Sequence, residues 1–354
     1  MSASGAQSSL RTKRGNRTSL EMRKGALVVG ISVAILAYSA GCSGKDELFR
    51  QSEILMGTVV EVTVADQSGK RARKAIRAAL DEIRRIDELM SAQKPGSAVS
   101  RLNREGHERA IPLGNELFGL IRQAAMISEA SGGAFDVTVG PLSGLWGFDQ
   151  GGKLPATSDI AASLPLVGYK KLIFDNSTSS VGFSVQGMRV DLGAIAKGYA
   201  ADRAVEKLRE DGIRDAIVAV AGDLRIMGAR PGKEFWKIGV QHPRENGRML
   251  MTFELRDTAI DTSGDYERFF TVDGVRYHHL LDPATGMPAR GCRSVTVLAP
   301  TATEADACAT AAFVLGPEKG ISFLRARPGV RGVIVDANGR LHWTDRELER
   351  MARP

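Results

Sequence analysis

An aspartate and a threonine stand four positions apart in the segment TEADACAT, residues 303–310. In a helix this spacing places Asp306 and Thr310 on one face, one turn apart. A carboxylate and a hydroxyl are hard oxygen ligands of the kind that Mg²⁺ prefers. The spacing permits a cation site, although an aspartate early in a helix also stabilises the helix through its dipole.

A second segment that could do chemistry is VDLGAIAKGYAAD, residues 190–202. Asp191 ends a predicted strand, and Gly193 allows the backbone to turn into a helix predicted over residues 196–210. The free N–H groups and the dipole at such a helix start favour an anion such as a diphosphate. A glycine at this kind of junction also occurs in turns that bind nothing.

The segment YHHLLDPATGMPARG, residues 277–291, contains two adjacent histidines. In or near a strand, His278 and His279 point to opposite faces, so only one of them can belong to a given site. The composition of DPATG predicts a turn directly after them. A histidine beside a turn is either a hydrogen-bonded structural residue or a candidate proton-transfer group.

The elements that must position these residues follow from hydrophobic periodicity. The alternating segment at residues 54–64 predicts a first strand, and residues 70–90 carry apolar side chains at helical spacing. The segment with Asp306 predicts a helix over residues 303–314. Strands occur both in succession and around helices, which favours an α+β fold of mixed or antiparallel sheets with packed helices in a single large domain.

The charge of the chain argues against nucleic-acid binding. The 354 residues include 48 basic and 41 acidic ones, a formal charge of +7. Six of the basic residues and one acid precede Cys42, which leaves 42 basic and 40 acidic residues for the rest of the chain. A body with a formal charge of +2 and no basic stripe interleaved with aromatic residues does not resemble a phosphate-backbone binder.

Residues 22–42, MRKGALVVGISVAILAYSAGC, have the layout of an export signal. The small residues before Cys42 resemble a lipoprotein cleavage box, which predicts lipidation of Cys42 and a membrane-anchored body facing the periplasm or the cell exterior. An uncleaved anchor and an ordinary signal peptide are the alternatives. Translation can start at Met1 or at Met22.

Six segments in order resemble the ApbE family of FAD:protein FMN transferases over residues 56–339. The segments are MGTVVEV, SGGAFDVTVGPLSGLWGF, VDLGAIAKGYAAD, SGDYERFF, HLLDPATGMPARG and SVTVLAPTATEADACATAAFVLG. The resemblance implies binding of FAD and Mg²⁺, cleavage of the FAD diphosphate, and attachment of FMN through a phosphoester to a threonine of a target protein, with release of AMP.

The resemblance also implies roles for individual residues. Metal ligation falls on Asp306, Thr310 and the backbone carbonyl of Ala194. His279 matches the family's histidine and is a candidate general base for the threonine hydroxyl. The implied FAD contacts are Met56, Ala134, Phe135, Asp136, Asp191 and Lys197.

Two positions depart from the family pattern. Gln93 stands where many members have a tyrosine that contacts the flavin. Ala221 replaces the first glycine of a GGD sequence, and its methyl group is expected to crowd a tight backbone approach.

The sequence predicts a leader over residues 1–41 and a tether over 42–52, and the resemblance implies an FMN transferase domain over 53–346 with a C-terminal tail over 347–354. The implied partners are FAD, the membrane through a lipid anchor, and target proteins such as subunits of membrane redox complexes. Two alternatives use the same residues: a FAD pyrophosphatase that releases FMN and AMP, and a flavin-binding lipoprotein that performs no chemistry.

Overall fold

The structure is a computed structural model that describes residues 46–353. The strands are β1 Glu47–Leu55, β2 Thr58–Asp66, β3 Ile111–Pro112, β4 Leu172–Asp175, β5 Ser180–Phe183, β6 Asp215–Val220, β7 Asp223–Met227, β8 Trp236–Gln241, β9 Met249–Leu255, β10 Ala259–Gly264, β11 Phe269–Val272, β12 Val275–His278, β13 Cys292–Ala299, β14 Arg331–Asp336 and β15 Leu341–Trp343. The helices are α1 Gly69–Met90, α2 Ala98–Glu105, α3 Gly114–Ala130, α4 Gly140–Trp146, α5 Thr157–Ser163, α6 Ala196–Glu210, α7 Ala302–Leu315, α8 Pro317–Arg325 and α9 Arg346–Met351.

An eight-stranded antiparallel sheet organises the molecule, in the order β1-β2-β6-β7-β10-β13-β14-β15. One face carries α1, α6 and α7, and these helices bury side chains such as Val60, Val62 and Val64 of β2. The other face is covered by the β8–β9 ribbon, whose Trp236 and Phe253 are fully buried. Antiparallel strands with helices on one face confirm the predicted α+β fold.

α1 shows how sequence pattern becomes a packed element. Ile76, Leu80 and Ile83 recur at helical spacing and are buried against the sheet. Ser68 caps the helix, because its hydroxyl oxygen accepts a hydrogen bond from the backbone N–H of Arg71 at 3.3 Å.

The predicted first strand is wrong in one respect, because the chain turns in the middle of it. Met56 and Gly57 both have positive φ values, 53° and 69°, and they connect β1 to β2 as a tight hairpin. Two consecutive left-handed residues fit the twist of such a hairpin. The apolar alternation continues across the turn, which is why the sequence alone predicted one strand.

The predicted domain boundaries also need correction at both ends. Residues 47–52, assigned to a tether, form most of β1 and pair with β2. Residues 347–351, assigned to a tail, belong to α9, and Leu348 is buried beneath the β8–β9 ribbon. The leader and Cys42 lie outside the described residues. Within residues 46–353 no helix is both long and apolar enough to cross a bilayer.

Candidate functional site

The N-terminal ends of α6 and α7 cross in close contact, and this crossing positions the site. An ideal Cβ built on Gly198 would lie 2.1 Å from the carbonyl oxygen of Ala302, so only glycine permits the approach. Asp202 of α6 accepts hydrogen bonds from the backbone N–H groups of Ala302 and Thr303, each at 2.9 Å. These bonds cap α7 and fix it against α6.

Asp306 projects from α7 into a buried cluster of charged side chains. Its two carboxylate oxygens accept hydrogen bonds from the Lys197 ammonium and from the backbone N–H of Gly198, each at 3.2 Å. Lys197 also donates to Asp223, at 2.7 Å. One carboxylate oxygen each from Asp223, Asp261 and Asp306 lies within 4.8 Å of the other two. Three buried carboxylates therefore meet a single ammonium group.

This imbalance of charge perturbs the pKa values of the cluster. Burial alone would lower the pKa of Lys197, but the three carboxylates outweigh burial and raise it. Burial, reinforced by the charges of Asp261 and Asp306, raises the pKa of Asp223 well above its usual range. Burial and then Asp306 raise the pKa of Asp261 to about 7. The cluster is short of positive charge.

The oxygen atoms around the cluster fit a small divalent cation. Oδ1 of Asp223 is buried and has no hydrogen-bond partner within the described residues. A buried oxygen of this kind is costly unless something binds it. Thr310 lies one turn beyond Asp306, with its hydroxyl 3.4 Å from that of Ser263. Carboxylate and hydroxyl oxygens are the donor set that Mg²⁺ accepts, and they can leave positions for water or phosphate.

A carbonyl inside a regular helix accepts a hydrogen bond from the N–H four residues later, and the carbonyl of Ala194 does not. Gly198, four residues later, directs its N–H to Asp306 instead. Across residues 46–353, no backbone N–H forms a hydrogen bond with the Ala194 carbonyl. The metal-ligand set predicted from the resemblance thus includes a buried carboxylate and a hydroxyl one turn apart on α7, and a carbonyl just before α6.

The predicted anion site at the start of α6 depended on free backbone N–H groups, and several of these groups already have partners. The backbone N–H groups of Ile195 and Ala196 both donate to the carbonyl of Leu192, at 3.0 and 2.8 Å. Asp191 accepts from Gly193 at 2.9 Å, which stabilises the turn itself. Since the chain's own acceptors occupy these donors, positive charge for a diphosphate must come mainly from side chains or a cation.

His278 ends β12, His279 follows it, and the two rings contact different parts of the structure. His278 is buried against Phe313, and its Nε2 lies 2.8 Å from the carbonyl oxygen of Ala289. His279 is half-buried, and its Nδ1 lies 3.3 Å from the carbonyl oxygen of Arg268. A carbonyl only accepts, so Nδ1 carries the hydrogen and Nε2 is left as the basic nitrogen. Burial and then the charge of Arg268 lower the pKa of His279 well below its usual range.

The residues implied as FAD contacts lie in separate parts of the chain, and Lys197 of α6 is the one that belongs to the charged cluster. Met56 forms the β1–β2 turn. Phe135, the residue after Ala134, is buried in the hydrophobic core. Asp136 accepts from the backbone N–H groups of Thr138 and Tyr169, at 2.8 and 2.7 Å.

The side chain of Asp136 therefore stabilises its own loop, and no hydrogen bond in the described part of the chain joins it to Lys197 or Asp306. The FAD contacts at these positions stay predictions.

The two departures from the family pattern have structural counterparts. The Gln93 amide donates to Asp149 at 3.4 Å, and Asp149 accepts from Arg268 at 2.6 Å. Gln93 is thereby linked to Arg268, whose backbone carbonyl accepts a hydrogen bond from the backbone N–H of His279 at 3.1 Å. Ala221 has a positive φ of 57°, a conformation that costs an alanine about 1–2 kcal/mol and a glycine almost nothing.

Two aspartates of the cluster were not predicted as site residues. Asp223 begins β7 and Asp261 lies within β10, where both are buried. The sequence signal that could have marked Asp261 is an aspartate directly after two apolar residues in a predicted strand, because an aspartate in such a position is rarely buried without a partner.

Comparisons with known proteins agree with this geometry. The model of the ApbE family matches residues 56–334. A FAD:protein FMN transferase of Treponema pallidum is 33% identical over 330 residues, which cover 87% of this chain and 90% of that protein. A second one, from Vibrio cholerae, is 31% identical over 84% of this chain and 90% of its own length.

Solved structures are similar over the same region. The ApbE protein of Thermotoga maritima matches with a TM-score of 0.80 and 36% identity, covering 87% of this chain and 100% of that one. The flavinyl transferase ApbE of Pseudomonas stutzeri, in its apo form, matches with a TM-score of 0.77 and 29% identity, covering 88% and 99%. Since the family model spans most of the chain and the fold and site geometry agree with it, the chain belongs to the ApbE family.

Proposed function

We propose that this protein transfers the FMN moiety of FAD to a threonine of a target protein and releases AMP, in a reaction that depends on Mg²⁺. The observation that carries the proposal is the buried cluster of Asp223, Asp261 and Asp306 around Lys197, with one carboxylate oxygen left without a partner. A flavin-binding protein without chemistry has no need of such a cluster. Relatives named FAD:protein FMN transferase support the choice of reaction.

Lys197 and the carboxylates prepare a site for charge neutralisation. Bound at Asp306 and Thr310, Mg²⁺ would supply the positive charge that stabilises diphosphate oxygens as the bridging bond breaks. Lys197 holds Asp223 and Asp306 at fixed positions through hydrogen bonds of 2.7 and 3.2 Å. Groups held in this way need little rearrangement during the reaction.

His279 is suited to accept the proton of the threonine hydroxyl. Its pKa is lowered, so the ring is neutral near pH 7, and its Nδ1–H is directed to the Arg268 carbonyl. Nε2 takes the proton as the threonine oxygen forms a bond to the FMN phosphorus. The bond from that phosphorus to the bridging oxygen breaks, and AMP leaves with the electron pair.

The test incubates the full chain with FAD, Mg²⁺ and a protein that carries a threonine in a short Ser/Thr/Gly-rich segment. We expect AMP in solution and flavin fluorescence on the denatured acceptor, with the mass of one FMN phosphoester at threonine. AMP and free FMN with an unmodified acceptor would instead show the pyrophosphatase. Bound FAD without any AMP would show a flavin-binding protein and overturn the proposal.

We also propose that the leader exports the protein and that Cys42 anchors it through a lipid, with subunits of membrane redox complexes as targets. The support is the apolar run at residues 25–40 followed by small residues and Cys42. Cys42→Ala should release the body from the membrane fraction or leave its N-terminus unprocessed. Unchanged fractionation with normal processing would contradict lipidation.

A further inference from the structure

The first half of α1 is an exposed cationic surface in a body whose charges otherwise nearly balance. Residues 69–80 include five basic residues and no acidic one. All five side chains are exposed: Lys70, Arg71, Arg73, Lys74 and Arg77. We call the surface formed by Lys70, Arg73, Lys74 and Arg77 the basic face.

Internal interactions do not account for the basic face. Positive charges near a helix N-terminus interact unfavourably with the helix dipole, so this placement costs stability. Arg71 pairs with Asp66 and Lys74 pairs with Asp211. Within residues 46–353, Lys70, Arg73 and Arg77 have no ion pair with a carboxylate. Most of the charge of the basic face is therefore not neutralised by carboxylates of the described residues.

The basic face lies where the rest of the chain joins the described structure. Glu47 pairs with Asp66, so the start of β1 and the end of β2 are side by side, with two residues between β2 and α1. The Arg73 guanidinium lies 5.8 Å from the centre of the Phe49 ring in β1. Residues 1–45 thus connect beside the basic face. Seven residues from Ala40 to Glu47 can span at most about 25 Å.

We propose that the basic face binds the anionic lipid headgroups of a membrane surface. The proposal rests on the proposed membrane anchor and commits to lipid because that anchor, whether lipidated Cys42 or an uncleaved apolar run at residues 25–40, ends within that reach, so the bilayer would place its headgroups next to the basic face. At low salt each Lys or Arg near an anionic surface contributes roughly a five-fold increase in binding. The contribution decreases when salt screens the charges, over about 10 Å at 0.1 M.

This docking would constrain how far the site lies from the docked surface. Lys74 of α1 pairs at 2.8 Å with Asp211, which follows the last residue of α6. The site lies at the opposite end of α6, at Lys197. Fourteen residues of helix separate these positions by about 21 Å. The docked protein would therefore hold its site about 21 Å along α6 from the ion pair that joins α6 to the basic face.

The test uses the body, residues 46–354, so that neither the leader nor lipidation of Cys42 contributes to binding. The Thermotoga maritima ApbE structure is matched over its whole length by 87% of this chain, which indicates that the body folds without the leader. Binding is measured by co-sedimentation at low salt with vesicles of phosphatidylcholine alone or mixed equally with phosphatidylglycerol. We expect binding to the anionic vesicles only, weakened by added salt.

The decisive variant is Lys70→Ala/Arg73→Ala/Arg77→Ala, which should lower partitioning to anionic vesicles by on the order of 100-fold. Its control, Lys233→Ala/Lys237→Ala/Arg340→Ala, removes the same charge from exposed positions away from α1 and should lower partitioning far less. FMN transfer in solution should be equal in both variants, which verifies folding. Equal losses in the two variants, equal binding to neutral vesicles, or no binding to either vesicle would overturn the proposal. The last result would point to an acidic protein partner.

Discussion

The position of Asp306 in α7 distinguishes its two possible roles, metal ligation and stabilisation of the helix through the dipole. The helix begins at Ala302 after the N-cap Thr301, so Asp306 is the fifth helical residue. The dipole effect decreases within the first turn, where Glu304 already lies. Asp306 is also buried and accepts from Lys197 and Gly198. These contacts favour the cation site over simple helix stabilisation.

Asp306→Asn should remove activity without unfolding the protein. It nearly preserves shape but deletes a charge that a divalent cation needs, so turnover should decrease by about 100-fold or more. The metal-free variant should unfold at or above the wild-type temperature, because one of three mutually repelling carboxylates is gone. FMN transfer and thermal unfolding, each with and without Mg²⁺, measure both effects.

Glu304→Gln is the matched control on the same helix. Glu304 lies in the first turn and forms a partly buried pair with Arg327 at 3.0 Å. Its replacement should lower the free energy of unfolding by about 0.3–1 kcal/mol and leave turnover intact. Wild-type transfer by Asp306→Asn at the same Mg²⁺ concentration would show that the metal-site assignment is wrong.

His278 is bonded in a way that requires a neutral ring. Nδ1 accepts the backbone N–H of Leu280 at 3.3 Å, and Nε2–H is left to donate to Ala289 at 2.8 Å. Burial lowers the pKa of His278 to about 4. In the unfolded chain the pKa is near 6.5, so the folded state binds fewer protons between these values and stability decreases as pH falls from about 6.5 to about 4.

His278→Gln should remove this part of the acid sensitivity. Glutamine cannot be protonated but can still donate to Ala289. The free energy of unfolding should therefore decrease from pH 7 to pH 4 by up to about 3 kcal/mol less in the variant than in the wild type. Denaturant unfolding at both pH values measures the difference. His107→Gln, at an exposed histidine, should keep the wild-type pH dependence. If the free energy of unfolding of His278→Gln decreases between the two pH values as much as that of the wild type, other groups cause the acid sensitivity.

At the scale of elements, the crossing of α6 and α7 determines whether the charged cluster forms. Gly198→Ala would place a methyl group against the Ala302 backbone and push the helices apart, which separates Lys197 from Asp306. We expect a loss of about 1–3 kcal/mol in the free energy of unfolding and a decrease in both Mg²⁺ affinity and transfer. Chemical denaturation and metal titration measure the two effects.

Gly119→Ala is the control for Gly198→Ala. Gly119 lies inside α3, and a Cβ there would meet nothing within 4 Å. Alanine has the better helix propensity, so this variant should gain up to about 1 kcal/mol and keep its activity. If the two alanine variants behave alike, the close approach at Gly198 does not control the site.

Local signals predicted the elements better than they predicted the cluster. The helix over residues 196–210 was correct, because apolar spacing and a glycine-containing junction are adjacent in the sequence. Asp306 and Thr310 were predicted from their spacing to share one face of a helix, and both lie in α7 one turn apart. Asp223 and Asp261 were missed because their approach to Asp306 depends on the order of β7 and β10 in the sheet. No local pattern encodes that order.

At the scale of the whole molecule, the site depends on strands that are distant in sequence but neighbours in the sheet. β7 pairs with β10, and both supply an aspartate to the cluster. Helices α6 and α7, packed on the same sheet face, supply Lys197 and Asp306. Because four separate elements meet at one buried point, the cluster should form only when the sheet and both helices are in place.

The edge strand β1 belongs to this cooperative unit, although the sequence assigned most of it to a tether. Residues 47–52 pair with β2, and Leu48 and Phe49 pack against opposite faces of the sheet. The free energy of unfolding of a body that begins at residue 53 should therefore be about 2–3 kcal/mol lower than that of a body that begins at residue 46. It should also aggregate more readily, because β2 becomes an unprotected edge. Denaturant unfolding and light scattering of the two bodies measure these effects, and the body from residue 46 is the control for loss of the leader. Equal stability would show that residues 47–52 act as a tether after all.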